Sequence, residues 1–217
     1  MKFYESGDSS KPVIFLFPGT CCLYSSFYHV LDGLHSYFYT VTVSYDGFDP
    51  NEKTEFYSME DECEKIEQEI KKKYDGRIKA AYGCSLGGSF VSLLIQRKRI
   101  HIEHGIIGSS DMDEAGNLVA KIQASMVVPF MYKMVHTGAL PKFMQKKLNK
   151  TDEAKKELYN GFLNMFGIGK GGSPWITKQS IYNQFYSDLV TKIQHGIDVP
   201  GTTIHVFYAT KMGKKYE

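Results

Sequence analysis

Gly83-Cys84-Ser85-Leu86-Gly87 constrains this chain more than any other segment. The apolar run Ile78 to Tyr82 leads into it and the apolar stretch Leu86 to Gln96 leads out. That spacing predicts a strand, a tight turn with serine at its apex, and a helix. A turn so sharp crowds the backbone on either side of the serine, and glycine two residues before and two after lets it close. The hydroxyl is then exposed at the end of the strand, and the helix that follows aims its free amides and its positive pole at the same point. Matches to G-x-S-x-G arise by chance, so the flanking strand and helix carry much of the argument. The alternative is a strand-to-helix turn holding an inert serine.

The rest of the chain repeats this alternation. Val13 to Phe17 is a short apolar run that ends at Pro18-Gly19 and suits a strand buried on both faces, and a small-residue loop, Gly19-Thr20-Cys21-Cys22, follows it. Leu23 to Phe38 has helical spacing and Tyr39 to Tyr45 alternates like a strand. Ser58 stands three residues before Asp61 as in a capping box, ahead of a helical stripe of Met59, Cys63, Ile66, Ile70 and Tyr74. His104 to Gly108 reads as the next strand and ends at Ser109-Ser110-Asp111. Strands alternating with helices predict an α/β fold with a mostly parallel sheet flanked by helices. Residues 113–179 break the rhythm with a long, mostly helical stretch, expected to be a cap inserted between a first core part, 1–112, and a second, 180–217. The second part offers an amphipathic helix, Ser180 to Ile193, and one more strand, Thr203 to Tyr208. A chain of 217 residues suits one core of this kind.

With the serine turn, its flanks and the order of elements in view, the sequence resembles the α/β-hydrolase superfamily of serine hydrolases. The resemblance implies that Ser85 is the nucleophile and that the Leu86 amide is one oxyanion donor. A second donor comes from the loop after an earlier strand, here Phe17-Pro18-Gly19-Thr20, with proline where the family usually has histidine, and it falls to the Thr20 amide. The family acid usually follows the strand matched by Thr203 to Tyr208, but Ala209 to Gly213 contains no aspartate. An alternative family position, after the strand that follows the serine helix, offers Asp111, with Asp113 two residues on; capping of the next helix is the competing role for both. The family histidine lies beyond a final strand, and no histidine follows His205, which is expected inside a strand and facing away from the site. His136 falls in the cap, and His29, His35, His101, His104 and His195 read as surface or packing residues. The simplest expectation is a chain that lacks the last strand, histidine loop and closing helix; the other is a divergent protein.

Composition narrows the partners. A formal charge of +2 gives no bias toward nucleic acid, and the lysine groups at Lys146, Lys147 and Lys150 and at Lys211, Lys214 and Lys215 read as solvated faces. The first residues do not resemble a secretory signal and no segment is expected to span a membrane, so a cytoplasmic location is the default. Cys21, Cys22, Cys63 and Cys84 have no metal or disulfide spacing and are expected to be reduced thiols. Gly167 to Gly172 formally matches G-x-G-x-x-G but follows a helical segment and precedes Ser173-Pro174, so it reads as a hinge of the cap; no cofactor and no metal is expected. Methionines and aromatics in the cap, Met126, Phe130, Met134 and Phe166 among them, either line a pocket for an apolar acyl or aryl group or form the cap's own core. The function expected is hydrolysis of a carboxylic ester or thioester of a small-molecule acyl substrate through an acyl-enzyme on Ser85. Acyl transfer would use the same groups, and a catalytically silent binding protein is the alternative class.

Overall fold

In a computed structural model the described residues are 1–110, 112, 114–150, 152–166 and 171–207. Asp111, Asp113, the first part of the glycine-rich hinge and the segment from Tyr208 to Glu217 lie outside them, so the expectations that fall there are not addressed by the structure. Six strands form one sheet: β1 (Lys2–Ser6), β2 (Val13–Phe17), β3 (Tyr39–Ser44), β4 (Arg77–Cys84), β5 (His101–Gly108) and β6 (Thr203–Phe207), in the order β1-β3-β2-β4-β5-β6. All neighbouring pairs are parallel except β1 with β3. β1 was not expected, because its mixed sequence Lys-Phe-Tyr-Glu-Ser carries little apolar signal; it holds the sheet edge by its backbone and by Phe3, whose ring packs edge-on to Phe15 at 6.2 Å.

Helices cover both faces. On one, α1 (Tyr28–His35) closes a small core of Ile14, Leu16, Phe27 and Ala80. It is shorter than its apolar spacing predicts, since Tyr24–Phe27 forms a 3-10 turn first. On the other face, α2 (Met59–Tyr74) and α3 (Leu86–Arg97) close the main core. Ser58 caps α2 as its spacing predicts: its hydroxyl accepts the Asp61 amide at 3.1 Å, and Met59, Cys63, Ile66 and Ile70 form the fully buried stripe.

Between β5 and α7 (Lys178–Val190) the chain inserts the expected helical layer, α4 (Asn117–Thr137), α5 (Lys142–Asn149) and α6 (Glu153–Met165). α4 lies along α7 through the small buried residues Ala120 and Ala124. By length and composition alone, the 21-residue α4 is long and apolar enough to cross a membrane, where no such segment was expected; its stripe of Ala120, Ala124 and Val128 is buried in the protein.

Two registers place the site. Phe17 pairs with Gly83 and Cys84 with Gly108, so the carboxyl ends of β2, β4 and β5 converge, as the switch in strand order requires.

Candidate active site

Ser85 sits where β4 turns into α3, at φ 54° and ψ −125°, a conformation an L-residue adopts only when its surroundings impose it. Its amide donates to the Gly108 carbonyl at 2.9 Å, and its own carbonyl accepts from Gly88 at 2.8 Å. The crowding expected from the motif is present. A Cβ on Gly83 would lie 2.0 Å from the Gly87 carbonyl oxygen, and one on Gly87 would lie 2.1 Å from that of Phe17. The serine is exposed while Leu86 behind it is buried, so the hydroxyl is presented on a fixed base. As the first residue of α3, Leu86 has an amide with no carbonyl four residues back to receive it.

The loop after β2 folds over this turn. A side chain at Gly19 would reach within 3.6 Å of Ser85 Cβ. Cys22 N–H closes a four-residue turn on the Gly19 carbonyl at 3.0 Å, with Cys21 in the left-handed region at φ 59°. Tyr45, fully buried, donates its hydroxyl to the Pro18 carbonyl at 3.1 Å. Gln184 of α7 accepts the Cys21 amide at 2.7 Å through Oε1, and that donor fixes which way the side-chain amide faces. Gln184 is fully buried, and among the described residues its Nε2 has no partner. No backbone hydrogen bond of the Thr20 amide is seen among the described residues, and Thr20 directly follows Gly19, the residue of this loop that packs against the serine. Gln184 was missed in the sequence, where Ser180, Gln184 and Ser187 look like the polar face of an amphipathic helix. All three are buried, and each accepts a backbone amide: that of the loop residue Phe56 on Ser180 at 3.2 Å, of Cys21 on Gln184, and of Met59, the first residue of α2, on Ser187 at 2.7 Å.

The neighbouring thiols do not compete with the serine. Burial pushes Cys22 up to about 12 and raises Cys84 as well, so both stay protonated near neutrality.

Among the described residues no histidine hydrogen-bonds the Ser85 hydroxyl. His35 is held by Ser6 at 3.0 Å and Thr40 at 3.2 Å, far along the first strands. His205 lies within β6 and its Nε2 is 3.2 Å from His104 Nδ1 on the adjacent strand. His136 packs beside Tyr132 in α4, and its buried Nδ1 has no partner among the described residues. Nor do the described residues hold a group of three or more side chains able to bind a metal.

No protein-family model matches the sequence, and no curated protein matches it. Solved structures do. A protein described as an α/β-hydrolase family member from Desulfitobacterium hafniense is similar with a TM-score of 0.70 at 13% identity, over 95% of this chain and 90% of that one. A carboxylesterase of Nitrososphaera gargenis gives 0.66 at 13%, over 95% and 75%. A 1H-3-hydroxy-4-oxoquinoline 2,4-dioxygenase gives 0.64 at 13%, over 99% and 79%. With its mostly parallel sheet, flanking helices and inserted helical layer, the chain has the α/β-hydrolase fold.

Proposed function

We propose that this protein is a serine hydrolase that cleaves a carboxylic ester or thioester through an acyl-enzyme on Ser85. The observation that carries the reading is the imposed conformation of Ser85, exposed at the apex of the strand-to-helix turn with the loop after β2 packed against it. The fold alone does not choose the reaction, since a carboxylesterase and a dioxygenase share it at similar scores. In the proposed step Ser85 Oγ attacks the acyl carbon, and the carbonyl oxygen takes up negative charge opposite the Leu86 and Thr20 amides. The leaving alcohol or thiol departs with a proton, and water then releases the acid. Asp111, three residues after the end of β5 in the sequence, is the proposed carboxylate. Residues 1–112 and 180–217 carry this machinery, with 113–179 as the cap; Leu23 N–H, just after the oxyanion loop, bonds the Met165 carbonyl of α6 at 3.2 Å.

A serine without a bonded base reacts slowly with unactivated esters, so the decisive reagent is a strong electrophile. A fluorophosphonate is expected to add once to the intact chain at Ser85 and not to Ser85→Ala, as read by intact mass and peptide mapping. The second reading, a catalytically silent binding protein on the same fold, is favoured by the absence of a histidine on Ser85 among the described residues. Failure of the wild-type chain to label from neutral to alkaline pH would establish it. Transfer of the acyl group to an alcohol instead of water would mark an acyltransferase built on the same residues.

A further inference from the structure

The outward face of α4 is apolar where a cap's surface should be polar. Leu118, Ile122, Met126 and Phe130 follow one another at four-residue spacing and are 72%, 53%, 75% and 39% exposed, with Val119 beside them at 49%. The opposite face is already used: Ala120 and Ala124 are fully buried and Val128 nearly so, toward α7. Helices that bury one stripe in a protein normally expose charge on the other. Here the exposed ridge runs about 18 Å along the helix at 1.5 Å per residue.

Along α4 and α5 themselves the charges have one sign, and the nearest preceding carboxylate among the described residues is the exposed Glu114, three residues before α4. From Asn117 to Lys150 the chain carries Lys121, Lys133, Lys142, Lys146, Lys147 and Lys150 and not one aspartate or glutamate, in a protein whose 26 basic and 24 acidic residues otherwise nearly balance. Lys121, Lys133, Lys142 and Lys146 are exposed. An apolar helix stripe with lysines as the only charges on the helices that carry it is the pattern of a segment lying in the interface of an anionic bilayer.

We propose that α4 and α5 are a membrane-surface contact: the Leu118–Ile122–Met126–Phe130 stripe enters the headgroup–acyl boundary of an anionic bilayer, and the lysines meet its headgroups. The helix lies flat, since its other face stays on α7. This contact is independent of the chemistry at Ser85 and stands or falls separately.

Sedimentation of the full chain with vesicles of phosphatidylcholine, with and without phosphatidylglycerol, tests it. The bound fraction at low salt is expected to be at least roughly tenfold higher on the anionic vesicles, and to fall with added salt. Ile122→Glu with Met126→Glu should abolish binding, and because both side chains are exposed the variant should keep the wild-type melting temperature. Lys133→Glu, Lys142→Glu and Lys146→Glu together should weaken it by roughly a hundredfold, at about fivefold or more per lysine. Wild-type protein left in the supernatant with anionic vesicles overturns the proposal. So does undiminished binding of the Ile122→Glu, Met126→Glu variant, which would reduce the effect to charge alone. A lipid-free dimer that this variant converts to monomer, with no vesicle binding by wild type, would assign the ridge to a second copy of the chain instead.

Discussion

Cys21 and Ser85 are both non-glycine residues at positive φ, each costing about 1–3 kcal/mol, and each is held there by bonds from other elements. For Ser85 the restraint is local: the Gly108 carbonyl and the two glycines that let the strand and helix meet. For Cys21 it comes from Gln184, 163 residues further on. If that bond keeps the Thr20 amide over Ser85, Gln184 is a positioning residue for the oxyanion site. Gln184→Met keeps the size but leaves the Cys21 N–H buried without an acceptor, a loss of about 1–3 kcal/mol in stability. It is expected to slow fluorophosphonate addition to Ser85 by about tenfold or more, a part of what removing an oxyanion donor costs. Gln184→Glu retains an acceptor oxygen and should recover most of the rate. Equal rates in wild type and Gln184→Met, at temperatures where both are folded, would reduce the residue to packing. The turn at Ser85 could be read from the sequence because its two glycines lie within five residues, although the Gly108 carbonyl that holds the Ser85 amide does not. Gln184 could not, since no local pattern marks a glutamine that serves a loop on the far side of the fold.

At the scale of elements, hydropathy periodicity found the helices but misread what two of them bury. α7 buries the polar side chains Ser180, Gln184 and Ser187, because the loops after β2 and β3 and the start of α2 have amides that no strand satisfies. α2 buries a carboxylate, Glu62, among its apolar residues, and this has a consequence in pH. Burial pushes Glu62 up to about 7 from 4.5; the Lys65 ammonium, at 2.9 Å, and the Asp46 amide, at 3.0 Å, pull it back only in part, and the nearby Asp46 carboxylate adds to the rise. Its folded pKa therefore lies above its unfolded one, and this group's contribution to stability falls as pH rises from 4.5 to 7, then stays constant. Asp46 works in the opposite sense: held below the usual carboxylate range by Lys65 and the Met1 ammonium against its own burial, it contributes stability that is lost in acid. Glu62→Gln isolates the first effect. Its melting temperature relative to wild type should climb as pH rises across that window and level off above it, and a difference independent of pH would show that Glu62 is ionised throughout. None of this is visible in α2's sequence, where Glu62 is one of many charges on a solvated-looking helix.

For the molecule as a whole, the alternation of apolar runs and helical stripes was enough to predict the parallel sheet, since strands buried on both faces leave an unmistakable signal. The edge strand β1 was not legible, because a strand covered on one side and paired on one side has no such signature; the other edge, β6, falls where the strand Thr203 to Tyr208 is expected. Among the described residues β6 pairs only with β5, through a register in which His205 faces Ile106, and its outer edge is unpaired. Ile204, Val206 and Phe207 on it are 36%, 59% and 62% exposed, apolar on both faces of a free edge. Natural edge strands are usually protected by a charge, a bulge or a covering segment, and an apolar free edge recruits another chain by strand addition. The isolated 217-residue chain is therefore expected to associate with rising concentration through β6. Val206→Lys puts a charge at the middle of the edge without touching the core, so it should lower light scattering severalfold at the same concentration while leaving the melting temperature within about 1 °C, as surface substitutions do. Ile122→Glu with Met126→Glu, on the α4 ridge, serves as the control: if it suppresses the scattering and Val206→Lys does not, association runs through the cap and the β6 edge is inert.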